Sequence, residues 1–335
     1  MQSSSVKIER VAVFGLGSMG KRRLRLLSAL LPNGVFAGID AREDRRNEAA
    51  ERFGAQVFSS LDDAMRIRPQ AIFICTSPLS HAAIIQDCLK RGLHVFTEIN
   101  LVDTDYQKNQ KLAEQQGVTL FLSSTPLYRR EPAYMIEQTT KYNGVISYQY
   151  HVGQYLPDWH PWESYRDFFI SDARTNGCRE IFAINLPWVL SAFGPVEEVF
   201  AVSARSTALQ IAYPDSIIAM FRHKNGTIGT FTADLVAREP IHRMRIQSEQ
   251  LLLQWDGTPE SLRTFDTEKK VWQQVRLYDD VDQLSGYSAN IIEDAYAAEI
   301  VAFFSAIEQG KRPLYGFLED QETLSLIDRI EGQRS

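Results

Sequence analysis

The stretch VAVFGLGSMGKRRLRLL, residues 11–27, joins a short apolar run to three glycines and a helical apolar face. A continuous apolar run such as residues 11–14 is typical of a strand buried on both faces of a parallel sheet. After the glycines, Leu24, Leu27 and Leu31 recur at helical spacing, and residues 32–34, Pro-Asn-Gly, predict the end of that helix. The pattern therefore predicts a strand, a glycine turn and a helix.

A second apolar strand is predicted over residues 36–39, and an acidic residue, Asp40, follows it. Asp40 lies twenty residues beyond Gly20, which is the spacing of the acid that binds the adenosine ribose in dinucleotide folds. Gly15 then allows the tight turn, Gly17 lets the backbone approach a pyrophosphate, and Gly20 lets helix and strand pack closely. Backbone N–H groups at the start of the helix, around Ser18 and Met19, would bind the phosphates.

Strands and helices continue to alternate as far as residue 122. Residues 71–75, 94–97 and 119–122 are predicted strands, and residues 79–91 are a predicted helix. A further helix is expected between Asp103, as its N-cap, and Gly117. This alternation predicts a doubly wound parallel sheet whose ligands lie at the carboxyl ends of the strands. Thr76, Ser77 and Glu98 come at such ends and are predicted cofactor contacts.

Composition excludes several other classes of protein. The chain has 335 residues, 44% of them hydrophobic, and a net charge of −6, which does not favour nucleic acid or an anionic membrane as a partner. It contains no apolar run of the length that a membrane span needs and no signal-peptide pattern at residues 1–10. Its three cysteines are too scattered for a disulfide framework or a zinc site, so we expect no metal and a reducing, cytoplasmic location.

From about residue 125 the pattern changes to the period of two that half-buried strands show. Residues 217–222 and 227–232 flank an Asn225-Gly226 pair, which is typical of a tight hairpin. The fold class predicted is α/β, with an N-terminal Rossmann sheet over residues 1–124. An α+β domain with a largely antiparallel sheet is expected over residues 125–335.

An aromatic loop, GQYLPDWHPWESYRDFF, occupies residues 153–169. Its Trp159 and Trp162 planes beside His160 and Arg166 favour stacking on a sugar ring and hydrogen bonding to its hydroxyls. The alternative is that the loop covers a core or meets another subunit.

The stretch CTSPLSHAAIIQDCLKRGLHVFTEINL, residues 75–101, resembles the segment TP…H…A…GKHV…EKP of the glucose–fructose oxidoreductase, inositol dehydrogenase and MocA family. The resemblance extends to FGPVEEV at 193–199 and AYAAEIVAFFSAIEQGKRP at 295–313. It implies a nicotinamide dinucleotide cofactor, with His81 among its contacts. It also implies a homo-oligomer, dimer or tetramer, in which one face of the second sheet forms the subunit interface.

Two positions depart from the pattern of this family. The lysine of EKP is Ile99 here, and the histidine of the second-domain helix falls on Ile184 when the chains are aligned through residues 193–195. Isoleucine cannot accept or return the hydroxyl proton that alcohol oxidation releases. Glu180 falls near the first acid of the family helix, and a buried carboxyl there would have a pKa suited to proton transfer.

We therefore predict an NAD-dependent oxidoreductase that acts by hydride transfer on a sugar, sugar-derived or polyol substrate, with His160 and Glu180 as acid–base groups. Asp40 favours NAD, because a carboxylate repels a 2′-phosphate, while Arg42 leaves NADP open. One alternative is redox-neutral elimination or epimerisation, and another is a noncatalytic binding protein. The predicted substrate contacts are Tyr128, Arg129, Trp159, Trp162, Arg166, Arg174 and Asn185.

Overall fold

A computed structural model describes residues 7–160, 163–281 and 291–332 of the chain. Contacts between its residues divide the chain into two compact units. The first comprises Met1–Ser124 with Tyr296–Asp320, and the second comprises Thr125–Ala295 with Gln321–Ser335.

The first unit contains a six-stranded parallel sheet in the order β3-β2-β1-β4-β5-β6. Its strands are β1 (Arg10–Phe14), β2 (Val35–Ile39), β3 (Gln56–Phe58), β4 (Ala71–Ile74), β5 (His94–Thr97) and β6 (Leu120–Leu122). The helices are α1 (Ser18–Leu30), α2 (Glu43–Phe53), α3 (Leu61–Ala64), α4 (Pro78–Lys90) and α5 (Tyr106–Gln116). The chain order reverses direction between β1 and β4, so this is the doubly wound sheet that the sequence predicts.

Local sequence accounts for the main boundaries of these elements. All four residues of β4 are buried, as expected for a central parallel strand. α5 begins after Asp105 rather than after Asp103, because Asp105 takes a left-handed conformation with φ of 57° and the Tyr106 N–H donates to the carbonyl of Asp103. Its predicted end is observed, since Gly117 lies in the left-handed region that glycine adopts without strain.

The second unit contains an eight-stranded sheet in the order β14-β13-β12-β11-β7-β10-β9-β8. Among the described residues of this sheet only β7 and β10 pair in parallel, so the prediction of a largely antiparallel sheet is confirmed. The helices that precede and follow β7 are α6 (Arg130–Lys141) and α7 (Gly177–Phe193). The strands are β7 (Ser147–Gly153), β8 (Val196–Ala204), β9 (Ser216–His223), β10 (Ile228–Asp234), β11 (Ile241–Gln247), β12 (Leu252–Trp255), β13 (Arg263–Asp266) and β14 (Val271–Gln274).

The two faces of this sheet differ in burial. Along β9, residues alternate between buried and exposed, and the Asn-Gly hairpin joins it to β10 as the sequence predicts. On the buried face, Phe231 of β10 lies edge-to-face against Phe182 of α7 at 4.8 Å. Large apolar side chains also stand on the other, exposed face, among them Phe200 and Met220.

Two further helices, α8 (Glu293–Gln309) and α9 (Phe317–Ile330), complete the described chain. From Tyr296 onward α8 belongs to the first unit. There Phe303 is fully buried and packs edge-on against Phe73, Phe96 and Phe121 at 5.4 to 5.6 Å. The core of the parallel sheet is therefore completed by residues that come about 200 positions later in the chain.

Candidate functional site

The glycine turn between β1 and α1 has no room for side chains at two positions. Gly15 has φ of +91°, and a Cβ atom there would lie 2.6 Å from the carbonyl oxygen of Cys75. A Cβ atom on Gly20 would lie 1.8 Å from the carbonyl oxygen of Gly15. Both positions therefore require glycine, one for its conformation and the other for the close approach of helix and turn.

Gly17 is different, because its surroundings are open. A Cβ atom there would meet only the guanidinium of Arg45, at 3.5 Å. Gly17 is also the N-cap of α1, no side chain caps it, and the first turn contains no acidic residue. A helix N-terminus of this kind, beside open space, suits the pyrophosphate of a dinucleotide.

Asp40, at the end of β2, is tied to this turn. Its Oδ2 atom accepts the Leu16 N–H at 2.8 Å, and its Oδ1 atom accepts the Arg42 N–H at 2.9 Å. The carboxylate is thus held beside the glycines with an orientation set by backbone donors. An acid at this place in the sheet is the group that binds the adenosine ribose in dinucleotide folds, and this role stays a prediction for Asp40.

Of the arginines that follow Asp40, Arg42 and Arg45 are placed differently. The Arg42 side chain is exposed and forms a two-point ion pair with Asp44, whose pKa it lowers to about 2 by hydrogen bonding. Arg45 instead reaches back, with Nη1 at 3.7 Å from Oδ2 of Asp40. Sequence reasoning missed Arg45. The available signal was its place in the first turn of α2, five residues after Asp40.

The loops that follow β4 and β5 are joined by a buried histidine. His81 is 1% exposed, and its Nδ1 and Nε2 atoms lie 2.7 Å from Oδ1 of Asn100 and 3.0 Å from the carbonyl oxygen of Thr76. Burial lowers the pKa of His81, so the ring is neutral. Both ring nitrogens are engaged within the protein, so His81 links the loops that follow the two strands. The cofactor contacts of His81, Thr76, Ser77 and Glu98 stay predictions.

In the second unit, Glu180 lies in the first turn of α7. The Asn176 side chain caps this helix by accepting the Arg179 N–H at 2.8 Å. Glu180 and Ile184, one turn apart, are less buried than the residues around them. The Oε2 atom of Glu180 is enclosed and forms no hydrogen bond within the described residues. Burial without compensation raises the pKa of Glu180 to about 7.

In the described part of the aromatic loop, polar side chains form hydrogen bonds to other residues of the same loop. His160 Nδ1 lies 2.9 Å from Oε1 of Glu163, and its ring stacks on Phe168 at 4.8 Å. The Trp159 indole N–H donates to the carbonyl oxygen of Gln154 at 3.0 Å. Trp162 lies outside the described residues. The catalytic role of His160 and the substrate contacts of both tryptophans stay predictions.

The other predicted substrate contacts are distributed across the second unit. Arg166 lies over the Tyr165 ring, and Arg174 forms a two-point ion pair with Asp172. Tyr128 is half-buried. Their contact with a substrate also stays a prediction.

Arg129 and Asn185 are both engaged inside the protein. Arg129 is buried against Glu131 and donates to the carbonyl oxygen of Gly257 at 2.7 Å. Asn185 accepts the Tyr150 hydroxyl at 2.5 Å, and that hydroxyl also lies 2.7 Å from Nε2 of His242. Sequence reasoning missed Tyr150 and His242, because only the pairing of β7 with β11 brings them together.

The described residues contain neither a metal-binding cluster nor a membrane-spanning helix. Ranges 7–160, 163–281 and 291–332 hold no group of three or more His, Cys, Asp or Glu side chains placed to bind a metal ion. Within the same ranges no helix is long and apolar enough to cross a membrane.

The glycine turn, the open helix N-terminus and Asp40 together define a dinucleotide-binding fold of the Rossmann type. Residues 9–124 match the model of the GFO/IDH/MocA oxidoreductase family, NAD-binding Rossmann fold. The match confirms the resemblance found in the sequence. It also confirms the predicted class, an NAD-dependent oxidoreductase, and NAD as its cofactor.

Relatives and solved structures extend the similarity beyond this region. UDP-N-acetylglucosamine 3-dehydrogenase of Acidithiobacillus ferrooxidans is 25% identical over 311 residues, which cover 91% of this chain and 90% of that protein. Myo-inositol 2-dehydrogenase of Thermotoga maritima is 30% identical over 102 residues, 29% of this chain and 30% of that protein. The structure of levoglucosan dehydrogenase in complex with NADH is similar in fold, with a TM-score of 0.79, 19% identity, and coverage of 98% of this chain and 97% of that one.

Proposed function

We propose that this protein is an NAD-dependent dehydrogenase that oxidises a secondary alcohol of a sugar, a sugar derivative or a polyol, with Glu180 as the proton acceptor. The observation that carries the proposal is the uncompensated carboxyl of Glu180 on α7. A carboxyl whose pKa lies near 7 takes up and returns a proton near neutral pH, whereas Ile99 and Ile184 cannot. The similar dehydrogenases of UDP-N-acetylglucosamine, myo-inositol and levoglucosan support the substrate class.

The chemistry divides between cofactor and protein. NAD, when bound, supplies the hydride acceptor. Gly17 and the N-terminus of α1 would hold its pyrophosphate, and Asp40 its adenosine ribose. As the substrate C–H hydrogen leaves with its electron pair, the hydroxyl proton passes to the carboxylate of Glu180 and the carbinol becomes a carbonyl. The reverse reaction returns the proton from Glu180 to the carbonyl oxygen.

We expect turnover with at least one of UDP-N-acetylglucosamine, myo-inositol and levoglucosan, measured as the appearance of reduced cofactor with NAD. NADH should bind more tightly than NADPH, because Asp40 repels the 2′-phosphate. Tight NADH binding without turnover of any compound in a broad sugar and polyol panel would favour the noncatalytic alternative. Conversion of a sugar without net cofactor reduction would favour redox-neutral elimination or epimerisation.

The exposed sheet face supports a homo-oligomer, either a dimer or a tetramer. Phe200 and Met220 are paired across β8 and β9 and are 62% and 49% exposed, and Val202 pairs with Ile218 beside them. A contiguous apolar patch of this kind marks an association surface.

The three cysteines are free thiols, which supports the proposal of a reducing, cytoplasmic location.

Met220→Glu is expected to reduce the sedimentation coefficient to that of a single chain, because a charge would have to be buried in the interface. The matched control is Gln115→Glu, which adds the same charge at an exposed position of α5 and should leave the assembly intact. A wild-type protein that sediments as a single chain at all concentrations contradicts the proposed assembly.

A further inference from the structure

Arg23, on α1, is a fully buried arginine within the first unit. Its side chain has no exposure and forms ion pairs with two glutamates, Nε with Oε1 of Glu98 and Nη2 with Oε2 of Glu299, both at 2.7 Å. The guanidinium also lies over the Phe96 ring, 4.5 Å from its centre. Burial alone would lower the pKa of Arg23, but the two carboxylates raise it above its ordinary value, so the charge is retained.

The two glutamates are used in different ways. Glu299 is completely enclosed, and in addition to Arg23 it accepts the Ser123 hydroxyl at 3.0 Å and the Ser124 N–H at 2.6 Å, both at Oε1. Each of its oxygens therefore has donors inside the protein. Such a carboxylate is the buried partner that balances the charge of Arg23.

Glu98, in contrast, accepts hydrogen bonds from the described residues through only one of its two carboxylate oxygens. Its Oε1 atom accepts Arg23 Nε and the Cys75 thiol, the latter at 3.9 Å. Its Oε2 atom forms no hydrogen bond within the described residues, and 13% of the side chain is exposed. Because Arg23 holds one oxygen, the position of the other is restricted, and it remains able to accept a donor from outside the protein.

The place of Glu98 in the sheet indicates which donor that is. Glu98 directly follows β5, and Asp40 directly follows β2, so both lie at the carboxyl edge of the same parallel sheet. β1 and β4 lie between them, which makes three strand spacings, about 14 Å. A dinucleotide that places its adenosine ribose at Asp40 and its pyrophosphate at the turn after β1 therefore continues toward β4 and β5.

We infer that Arg23 is a positioning residue for the nicotinamide half of the cofactor, holding Glu98 so that its Oε2 atom accepts a hydroxyl of the ribose next to the nicotinamide. The inference rests on the proposed function for the orientation of the dinucleotide. Lysine is not equivalent to arginine here, because a single ammonium group cannot present two separate N–H edges to Glu98 and Glu299 at once.

The test compares NADH with ADP, which contains the adenosine ribose and the two phosphates but no nicotinamide ribose. Dissociation constants are measured on the cofactor-free protein, by fluorescence for NADH and by calorimetry for ADP. Arg23→Lys and Glu98→Gln should each weaken NADH binding about 10-fold, the scale of one charge-assisted hydrogen bond. The dissociation constant for ADP should stay within about 2-fold of the wild-type value. Adding Arg23→Lys to Glu98→Gln should weaken NADH binding little further, since both substitutions act through the same contact with the cofactor.

Glu299→Gln is the matched control, because it removes the other carboxylate that contacts Arg23. It should lower the thermal midpoint but leave the ratio of the NADH and ADP constants unchanged. The inference is wrong if Glu98→Gln leaves this ratio unchanged, or if Glu299→Gln changes it as much as Glu98→Gln does. These two variants keep the inference falsifiable even if Arg23→Lys does not fold. A wild-type protein that binds neither NADH nor ADP would instead contradict the proposed function.

Discussion

Glu180→Gln is expected to reduce turnover by roughly 10²- to 10⁴-fold, the usual scale for loss of a general acid–base group. Glutamine retains the size and polarity of the side chain but cannot accept the hydroxyl proton. NADH binding, measured by fluorescence, should be unchanged, because the predicted adenosine and pyrophosphate contacts belong to the first unit. Glu137→Gln on α6, an exposed position, is the matched control and should retain wild-type activity.

The pH dependence of the wild-type enzyme provides a second readout of Glu180. The deprotonated carboxylate is the form that accepts a proton, so kcat/KM for alcohol oxidation should rise with pH and level off above about 7. The reverse reaction should show the opposite trend. If Glu180→Gln keeps full activity while His160→Gln loses it, the proton acceptor is His160.

Glu180 should also make stability depend on pH. Its pKa in the folded protein, about 7, lies above that of an ordinary carboxyl, so the folded state binds the proton more tightly than the unfolded chain. Its contribution to stability is complete at pH 4 and is lost as the pH rises through 7. Glu180→Gln should therefore raise the free energy of unfolding by roughly 2–3 kcal/mol at pH 8 and by much less at pH 4, as measured by urea denaturation.

Gly17→Val is expected to weaken NADH binding by more than about 100-fold, because the branched side chain occupies the space in which the backbone would approach the pyrophosphate. Stability should change little. The φ of Gly17 is −70°, which any residue adopts, and a Cβ atom meets only Arg45. Fluorescence titration and the thermal midpoint measure the two effects separately.

Gly20→Ala is the informative contrast to this variant. Alanine normally stabilises a helix relative to glycine, but here its Cβ would overlap the carbonyl oxygen of Gly15. We expect a lower thermal midpoint as well as weaker NADH binding. Normal NADH affinity in Gly17→Val would show that the phosphates do not approach this turn.

The parts of the fold that depend on local pattern could be predicted from the sequence. Continuous apolar runs identified β1 and β4, the glycine spacing identified the turn, and the position of Asp40 after β2 followed from chain distance alone. Arg23 and His242 could not be found in this way. Their partners are Glu299, which is 276 residues away, and Tyr150 on a paired strand, and both contacts are set by tertiary packing. The lack of a hydrogen-bond partner for Oε2 of Glu180 among the described residues likewise could not be predicted, since it depends on the residues that pack around α7.

The return of Tyr296–Asp320 to the first unit has a consequence for synthesis of the protein on the ribosome. When Ser124 has emerged, Phe73, Phe96 and Phe121 lack Phe303, and Arg23 lacks the carboxylate of Glu299. An N-terminal domain normally folds as soon as it is translated. Here the parallel sheet cannot complete its core until residues 296–320 have appeared. Until then part of its apolar surface is uncovered and Arg23 has Glu98 but not Glu299 as a carboxylate partner, so the nascent first unit is exposed to aggregation.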